Sequence, residues 1–372
     1  MNVEEIFGKE YSTFSETDPF NPSNTVEGFI SRRSNEYYGA LIIMRINHED
    51  VMPQLIMGTP KMHYPFTSRE DGTREYHFPI AKKIEIYEKL DGTSILSYFY
   101  YKGNDRYQTY KARLRPFLLS GRFGDFENMW REVASKYFDE IRKEMIRSNC
   151  NLSFELWGAR NTHLIMYSNP LDISLLFGVT NTGRIISPSQ MSNKILPTVP
   201  LMKVIDKDYV WNYEETRKEL QSTLKAEEEN YYSGIEGSVW YMHLQDGRCL
   251  QLKCKPETIE DIHFSSSEGL SKNVVLATCW NGFENADVIT VDLIKQLLLE
   301  EFDKRIIESK HYLIERCVNF VNKEAEFKNL VKHEYEKTGM NIILQKREVM
   351  RALSAKFPRD KMKKVYNIIA GN

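Results

Sequence analysis

The chain has 372 residues, 41% of them apolar and 27% charged. That balance belongs to a globular protein and excludes a disordered tail, a collagen or a membrane bundle. At about 100–200 residues per domain, two or three domains are expected. Against 52 acidic residues stand 50 basic ones, a net charge of −2, which excludes a surface coated in positive charge for nucleic acid but not a local basic patch.

The start, Met-Asn-Val-Glu-Glu-Ile-Phe-Gly, has no basic segment followed by an apolar run, so no signal peptide is read. No stretch approaches the roughly 18 apolar residues of a membrane span. Cys150, Cys249, Cys254, Cys279 and Cys317 are few, scattered and odd in number. They read as small apolar residues in a reducing compartment. A cytoplasmic protein with no membrane partner is expected.

In chain order, residues to about 35 mix Ser, Asn, Pro and acids and read as an irregular start. A strand is expected over Tyr38–Ile46. Leu55–Phe66 is too broken by Gly and Pro for a helix. Ile84–Tyr101 reads as two strands joined at Asp91-Gly92, a turn dipeptide. Phe126, Met129, Trp130, Val133, Tyr137, Ile141 and Met145 recur at helical spacing. Leu152–Trp157, Ile173–Val179, Gly237–His243 and Arg248–Lys253 are short strand candidates, and Glu214–Asn230 reads as a charged, solvated helix. From about 288 the pattern is helical. Val291, Ile294, Leu298, Phe302 and Ile306 form one stripe, Tyr312 to Val321 suggests a second helix, and two more flank Pro358 after Gly339.

The chemistry concentrates in the strand-rich middle. Lys89-Leu-Asp91-Gly-Thr93 puts an amine and a carboxylate two residues apart, on one face of an extended chain. Taken alone, this segment also fits a surface hairpin tip. Others follow in order: Lys111-Ala-Arg113-Leu-Arg115; Phe154-Glu155-Leu-Trp-Gly158; the apolar Ser174–Val179 with Phe177; Gly234-Ile-Glu236-Gly-Ser-Val239; and Gln251-Leu-Lys253-Cys-Lys255. Each strand offers an apolar face to a core and a charged face to something else. Lysines, an arginine and two carboxylates around one groove suit a nucleoside triphosphate with a hydrated divalent cation. His63 and His163 have no metal-ligand spacing, and no chemistry is read into them. Arg160 and Asn161, at a strand end, fit a substrate contact or a turn.

This succession of motifs resembles the covalent nucleotidyltransferase superfamily, which comprises ATP-dependent DNA ligases, RNA ligases and mRNA-capping enzymes. The resemblance covers about residues 55–256. It implies an α+β fold, with an antiparallel-sheet, ATP-grasp-like ligase core. It implies Lys89 as the nucleophile that becomes lysyl-AMP, with Asp91 as its acidic partner. Arg113, and with it Lys111, would contact ribose or the bound end. Glu155 would bind ribose or support the metal, and Glu236 would support the metal. Phe177 would stack on the base, Lys253 and Lys255 would contact the α-phosphate, and Glu88 would contact adenine. The cofactors implied are ATP and Mg²⁺ or Mn²⁺.

A helical pattern after Pro256, where DNA ligases and capping enzymes carry an OB fold, makes the resemblance one to RNA ligases with an all-helical C-terminal domain. Gly58-Thr-Pro-Lys-Met62 is similar to a segment of the homodimeric archaeal-type RNA ligases, in which such a domain forms the dimer. Thr93 departs from that type, where an aromatic is usual. The domains expected are a lead-in with accessory strands over 1–78, an adenylyltransferase core over 79–260 and a helical domain over 261–372. The implied activity joins 5′-phosphate and 3′-hydroxyl RNA ends, as in RNA repair. The alternatives are a DNA ligase, a capping guanylyltransferase or a non-catalytic nucleic-acid-binding homologue. Lys346–Lys364 holds eight Lys or Arg against Glu348 and Asp360, which reads as an RNA-binding patch or as a solvated helix face.

Overall fold

The computed structural model describes residues 2–33, 35–68, 73–121, 124–227, 231–264, 270, 272–299, 302 and 304–370. Among the described residues the β part comprises three antiparallel sheets of four or five strands and three two-stranded ones. The first runs in chain order through Tyr11–Thr17, Thr25–Ser31, Leu41–Ile46 and Glu49–Ile56. This corrects the irregular start expected to residue 35. Tyr11–Thr17 is polar because it is an edge strand with no buried position, while Thr25–Ser31 alternates Val26 and Ile30 into the core. The strand expected from Tyr38 begins at Leu41, because Gly39 turns the chain at φ 72°.

The second sheet, of five strands, is ordered Ile185–Ile186, Asp172–Thr180, Cys150–Trp157, Gly92–Lys102 and Asp105–Lys111. The third, of four, is ordered Leu201–Ile205, Ala81–Lys89, Gly237–Leu244 and Cys249–Cys254. These two face each other. Leu96, Phe177 and Val179 from one pack against Tyr87, Val239 and Tyr241 from the other, and the Tyr241 hydroxyl donates to the Leu176 carbonyl at 2.8 Å.

Helices cover both outer faces. Phe126–Ala134 and Phe138–Ser148 confirm the helical period read over that stretch, and bury Phe126, Met129, Trp130, Ile141 and Met145 against Ile95, Phe154 and Leu156. Tyr209–Thr223 lays Tyr213 and Leu220 on Ile84, Ile86, Trp240 and Met242. It starts earlier and stops earlier than the helix expected at 214–230. Lys225–Ala226 is already extended, and 228–230 lie outside the described residues.

Asp91-Gly92 is not the hairpin turn expected. The strand ending at Lys89 belongs to the four-stranded sheet and the strand starting at Gly92 to the five-stranded one, so the chain crosses between sheets at Leu90–Asp91. Gly92 is required by close approach, since a Cβ there would lie 2.2 Å from the Leu156 carbonyl oxygen.

Among the described residues after Cys254, the regular elements are helical. They include Glu257–Phe264, Lys272–Gly282, Val291–Leu298, Lys304–Ser309, His311–Glu336, Lys346–Ser354 and Met362–Ala370. The apolar stripe expected to run unbroken from Val291 to Ile306 is divided between two helices, both packed into one cluster with Val275, Cys279, Ile314 and Val321. The last helices have a cluster of their own, around Val331, Val349, Leu353 and Val365. All five cysteines are free and buried. Among the described residues no helix is long and apolar enough to cross a membrane.

Candidate active site

The site lies where the two facing sheets meet at the chain crossing. Cross-strand register pairs Lys89 with Gly237 and Ser238 with Cys254. Lys89, Glu236 and Lys255 therefore fall at the same end of three adjacent strands. Glu236 Oε2 lies 2.5 Å from Lys89 Nζ, and its Oε1 lies 3.2 Å from Lys255 Nζ. Glu236 and Lys255 are both buried. A Cβ on Gly237 would sit 2.6 Å from the Cys254 carbonyl oxygen, so glycine lets these strands close up beside the two lysines.

A cavity of about 260 Å³ opens beside Lys89. Glu88, Arg113, Glu155, His163 and Phe177 also line it. Glu155 stands on the central strand of the opposite sheet, between Ser94 and Ser174. Its carboxyl is pushed up to about 8 by burial, which outweighs the opposing pull of Lys89, His163 and Arg113. Burial also raises Glu88. Phe177 is buried within the layer between the sheets, so one face of a core residue also walls the cavity. Arg113 sits over the Tyr38 ring at 5.9 Å.

Three residues read from the sequence occupy supporting places. Asp91 is buried and its Oδ2 accepts the backbone N–H groups of Leu164 and Ile165, each at 2.6 Å. It braces the loop after Asn161, and burial and the Glu236 charge raise its pKa. Lys111 does not line the cavity. It is fully buried, and its Nζ donates to the carbonyls of Ala112 and Arg113 at 2.7 and 2.8 Å. It therefore shapes the loop that carries Arg113, and desolvation holds its pKa well below the ordinary lysine value. Lys253 lies with its ammonium over the Tyr64 ring at 4.5 Å, one residue pair away from Lys255 along the strand.

Two lining residues had no sequence signal. His163 pairs with Glu284 at 3.1 Å, and Glu284 comes from the turn after helix Lys272–Gly282. Burial opposes the charged form of His163, but the carboxylates of Glu284, Asp91, Glu155 and Glu236 outweigh it and raise its pKa. Asn161 is a buried turn residue bonded to Thr93 and to the Leu156 carbonyl, whereas Arg160 pairs with Glu132 away from the cavity.

Among the described residues no three His, Cys, Asp or Glu side chains converge as a metal-binding group. The donor set still fits a hard divalent cation that keeps most of its waters. Glu155 is a buried carboxyl at the cavity wall whose ionised form is under-compensated, and Glu236 offers a second carboxylate close by.

No protein-family model matches the sequence, and no curated protein matches it. Solved structures do. An archaeal ATP-dependent RNA ligase is similar in two forms, at 12% and 11% identity, covering 90% and 100% of this chain and 79% and 95% of that chain, each with a TM-score of 0.47. A candidate ATP-dependent DNA ligase from Aquifex aeolicus is similar at 11% identity, over 90% of this chain and 79% of that one, with a TM-score of 0.43. A Naegleria gruberi RNA ligase mutant with ATP and Mn is similar at 10% identity, over 67% of this chain and 97% of that one, with a TM-score of 0.32. At these identities no residue role is transferred from them.

Proposed function

We propose that the chain is an ATP-dependent RNA ligase of the covalent nucleotidyltransferase superfamily, acting through a lysyl-AMP at Lys89. The observation that carries this reading is the Lys89–Glu236–Lys255 cluster beside a cavity lined by Glu155, Arg113 and Phe177.

In the first step Lys89 Nζ, freed of its proton, attacks the ATP α-phosphate in line and pyrophosphate leaves. Lys255 and Arg113 stabilise the charge that builds on the phosphate oxygens. AMP then passes from Lys89 to the 5′-phosphate of an RNA strand. A 3′-hydroxyl attacks that activated phosphate, closes the phosphodiester and releases AMP. Phe177 offers a flat apolar surface for the base, and Glu155 an acceptor for ribose hydroxyls. A Mg²⁺ or Mn²⁺ ion held by Glu155 and Glu236 would supply charge neutralisation at the phosphates.

The test is intact mass after incubation with ATP or GTP, followed by end-joining of 5′-phosphorylated single-stranded RNA with nicked duplex DNA in parallel. An AMP adduct with ATP alone, absent in Lys89→Ala, together with joined RNA, is expected. An adduct that persists in Lys89→Ala removes the assignment. A GMP adduct points to a guanylyltransferase, and joining confined to nicked DNA points to a DNA ligase.

A further inference from the structure

The turn Glu284-Asn-Ala-Asp287 is tied by side chains to the two segments that build the site. Asn285 Oδ1 accepts the Leu114 N–H at 2.9 Å, and Asp287 lies 3.2 Å from the Arg115 guanidinium. Glu284 reaches further in. Its Oε1 accepts the Thr93 hydroxyl at 3.1 Å and faces His163 Nε2, also at 3.1 Å. Thr93 in turn accepts from Asn161 Nδ2 at 3.0 Å, and Asn161 donates to the Leu156 carbonyl at 2.6 Å. An unbroken relay thus runs from the strand of Glu155 through the nucleophile motif to the C-terminal helices.

The relay accounts for Thr93, the position where the nucleophile motif departs from an aromatic. Thr93 is fully buried, and its hydroxyl both donates and accepts within the relay, which a Phe or Tyr ring in that space would not reproduce. The same helices wall the cavity, with Thr278, Asn281 and Leu297 facing it beside Glu284.

We infer that Glu284 is a positioning residue that holds His163 at the cavity wall as a cation for the phosphates of the bound nucleotide, so that docking of the C-terminal helices is a condition of nucleotide transfer to Lys89. The inference rests on the ligase reading above. Burial opposes charge on the ring, and the carboxyl groups of Glu284, Asp91, Glu155 and Glu236 act the other way, Glu284 most, while Glu155 stands near 8 and is largely uncharged at neutral pH. Glu284 is the carboxyl group in direct contact with the ring, and that contact shifts His163 toward its protonated form relative to a free imidazole, although burial also raises Glu284. If the helices lift, Glu284 leaves with them and the ring loses that partner.

The experiment uses the full chain and follows the rate of the Lys89 adduct from ATP by intact mass, across the pH range in which imidazole titrates. Glu284→Gln keeps the volume and the acceptor for Thr93 but removes the charge. It is expected to slow adduct formation about tenfold near neutral pH, and to move the limb on which the rate falls with rising pH down by about one unit. Glu284→Asp is expected to restore part of the rate, and His163→Asn to abolish that limb. If wild type forms the adduct and both Glu284→Gln and His163→Asn match its rate and pH profile, the inference fails while the ligase reading stands. A faster Glu284→Gln would make the contact a brake and also overturns it. If wild type forms no adduct, both readings fail. Should Glu284→Gln melt early, His163→Asn reads the same limb from the other side of the contact.

Discussion

The Glu236 carboxylate lies 2.5 Å from Lys89 Nζ, which pins the expected nucleophile to the neighbouring strand while the other oxygen of the same group holds Lys255. One side chain thus sets the spacing of two ammonium groups. Glu236→Ala is expected to cost about 3–5 kcal/mol of stability, because the two ammoniums lose the carboxylate they share in a largely dry site. It should also lower the adduct yield with ATP about a hundredfold. A thermal melt and intact mass check both, and a variant with wild-type melting and adduct would show that the cluster is incidental.

Glu155 makes stability depend on pH. Its carboxyl stands near 8 in the folded chain because burial outweighs the cations around it, against about 4.3 for a free glutamate. Between those values the folded state binds more protons than the unfolded one. The contribution of Glu155 is therefore intact below the lower value and is lost as pH rises toward 8. Glu155→Gln is expected to flatten the fall of stability with pH in that window, measured by denaturant midpoints. Parallel curves for variant and wild type would refute this.

Gly92 tests the chain crossing. An added Cβ would lie 2.2 Å from the Leu156 carbonyl oxygen, and backbone cannot give way as a flexible side chain can. Gly92→Ala is expected to cost about 1–3 kcal/mol and to spread the strand that begins at Gly92 from the strand that carries Glu155. An unchanged urea midpoint would mean that the strands separate freely there.

The basic end is more occupied than its composition implies. Lys346 lies over the Tyr366 ring at 3.9 Å, Lys361 and Lys364 over Phe327 at 5.1 and 5.2 Å, and Lys364 also pairs with Glu324. Arg347, Arg351, Arg359 and Lys363 are exposed. Replacing these four with Ala is expected to weaken RNA binding and to reduce its salt slope by about 0.7 for each phosphate that is no longer neutralised, with the adduct from ATP unchanged. An unaltered slope would make this face merely solvated.

Much of the core is legible in the sequence because strand alternation and helical period are local signals. The strands around Glu155, Phe177 and Glu236 begin and end within about two residues of the expected limits. Lys89, Glu236 and Lys255 meet in space because each ends, precedes or follows a strand of the same sheet. Burial is harder to read. Lys111 alternates with Arg113 as if both faced a ligand, yet at the end of its strand it is buried and donates to the carbonyls of Ala112 and Arg113. Polar edge strands such as Tyr11–Thr17 carry little pattern, since they bury almost nothing. Glu284 shares a short acidic turn with Asp287, nearly two hundred residues from Lys89 in sequence, and only tertiary packing brings it to His163.

At the crossing, Leu90 and Asp91 carry the chain from one facing sheet to the other. A nucleotide bonded to Lys89 on one sheet and gripped through its sugar by Glu155 on the other would act as a clasp across that seam. Amide exchange in both sheets would then slow together when the adduct forms. The reaction's own intermediate would be a structural tie, released each time AMP leaves.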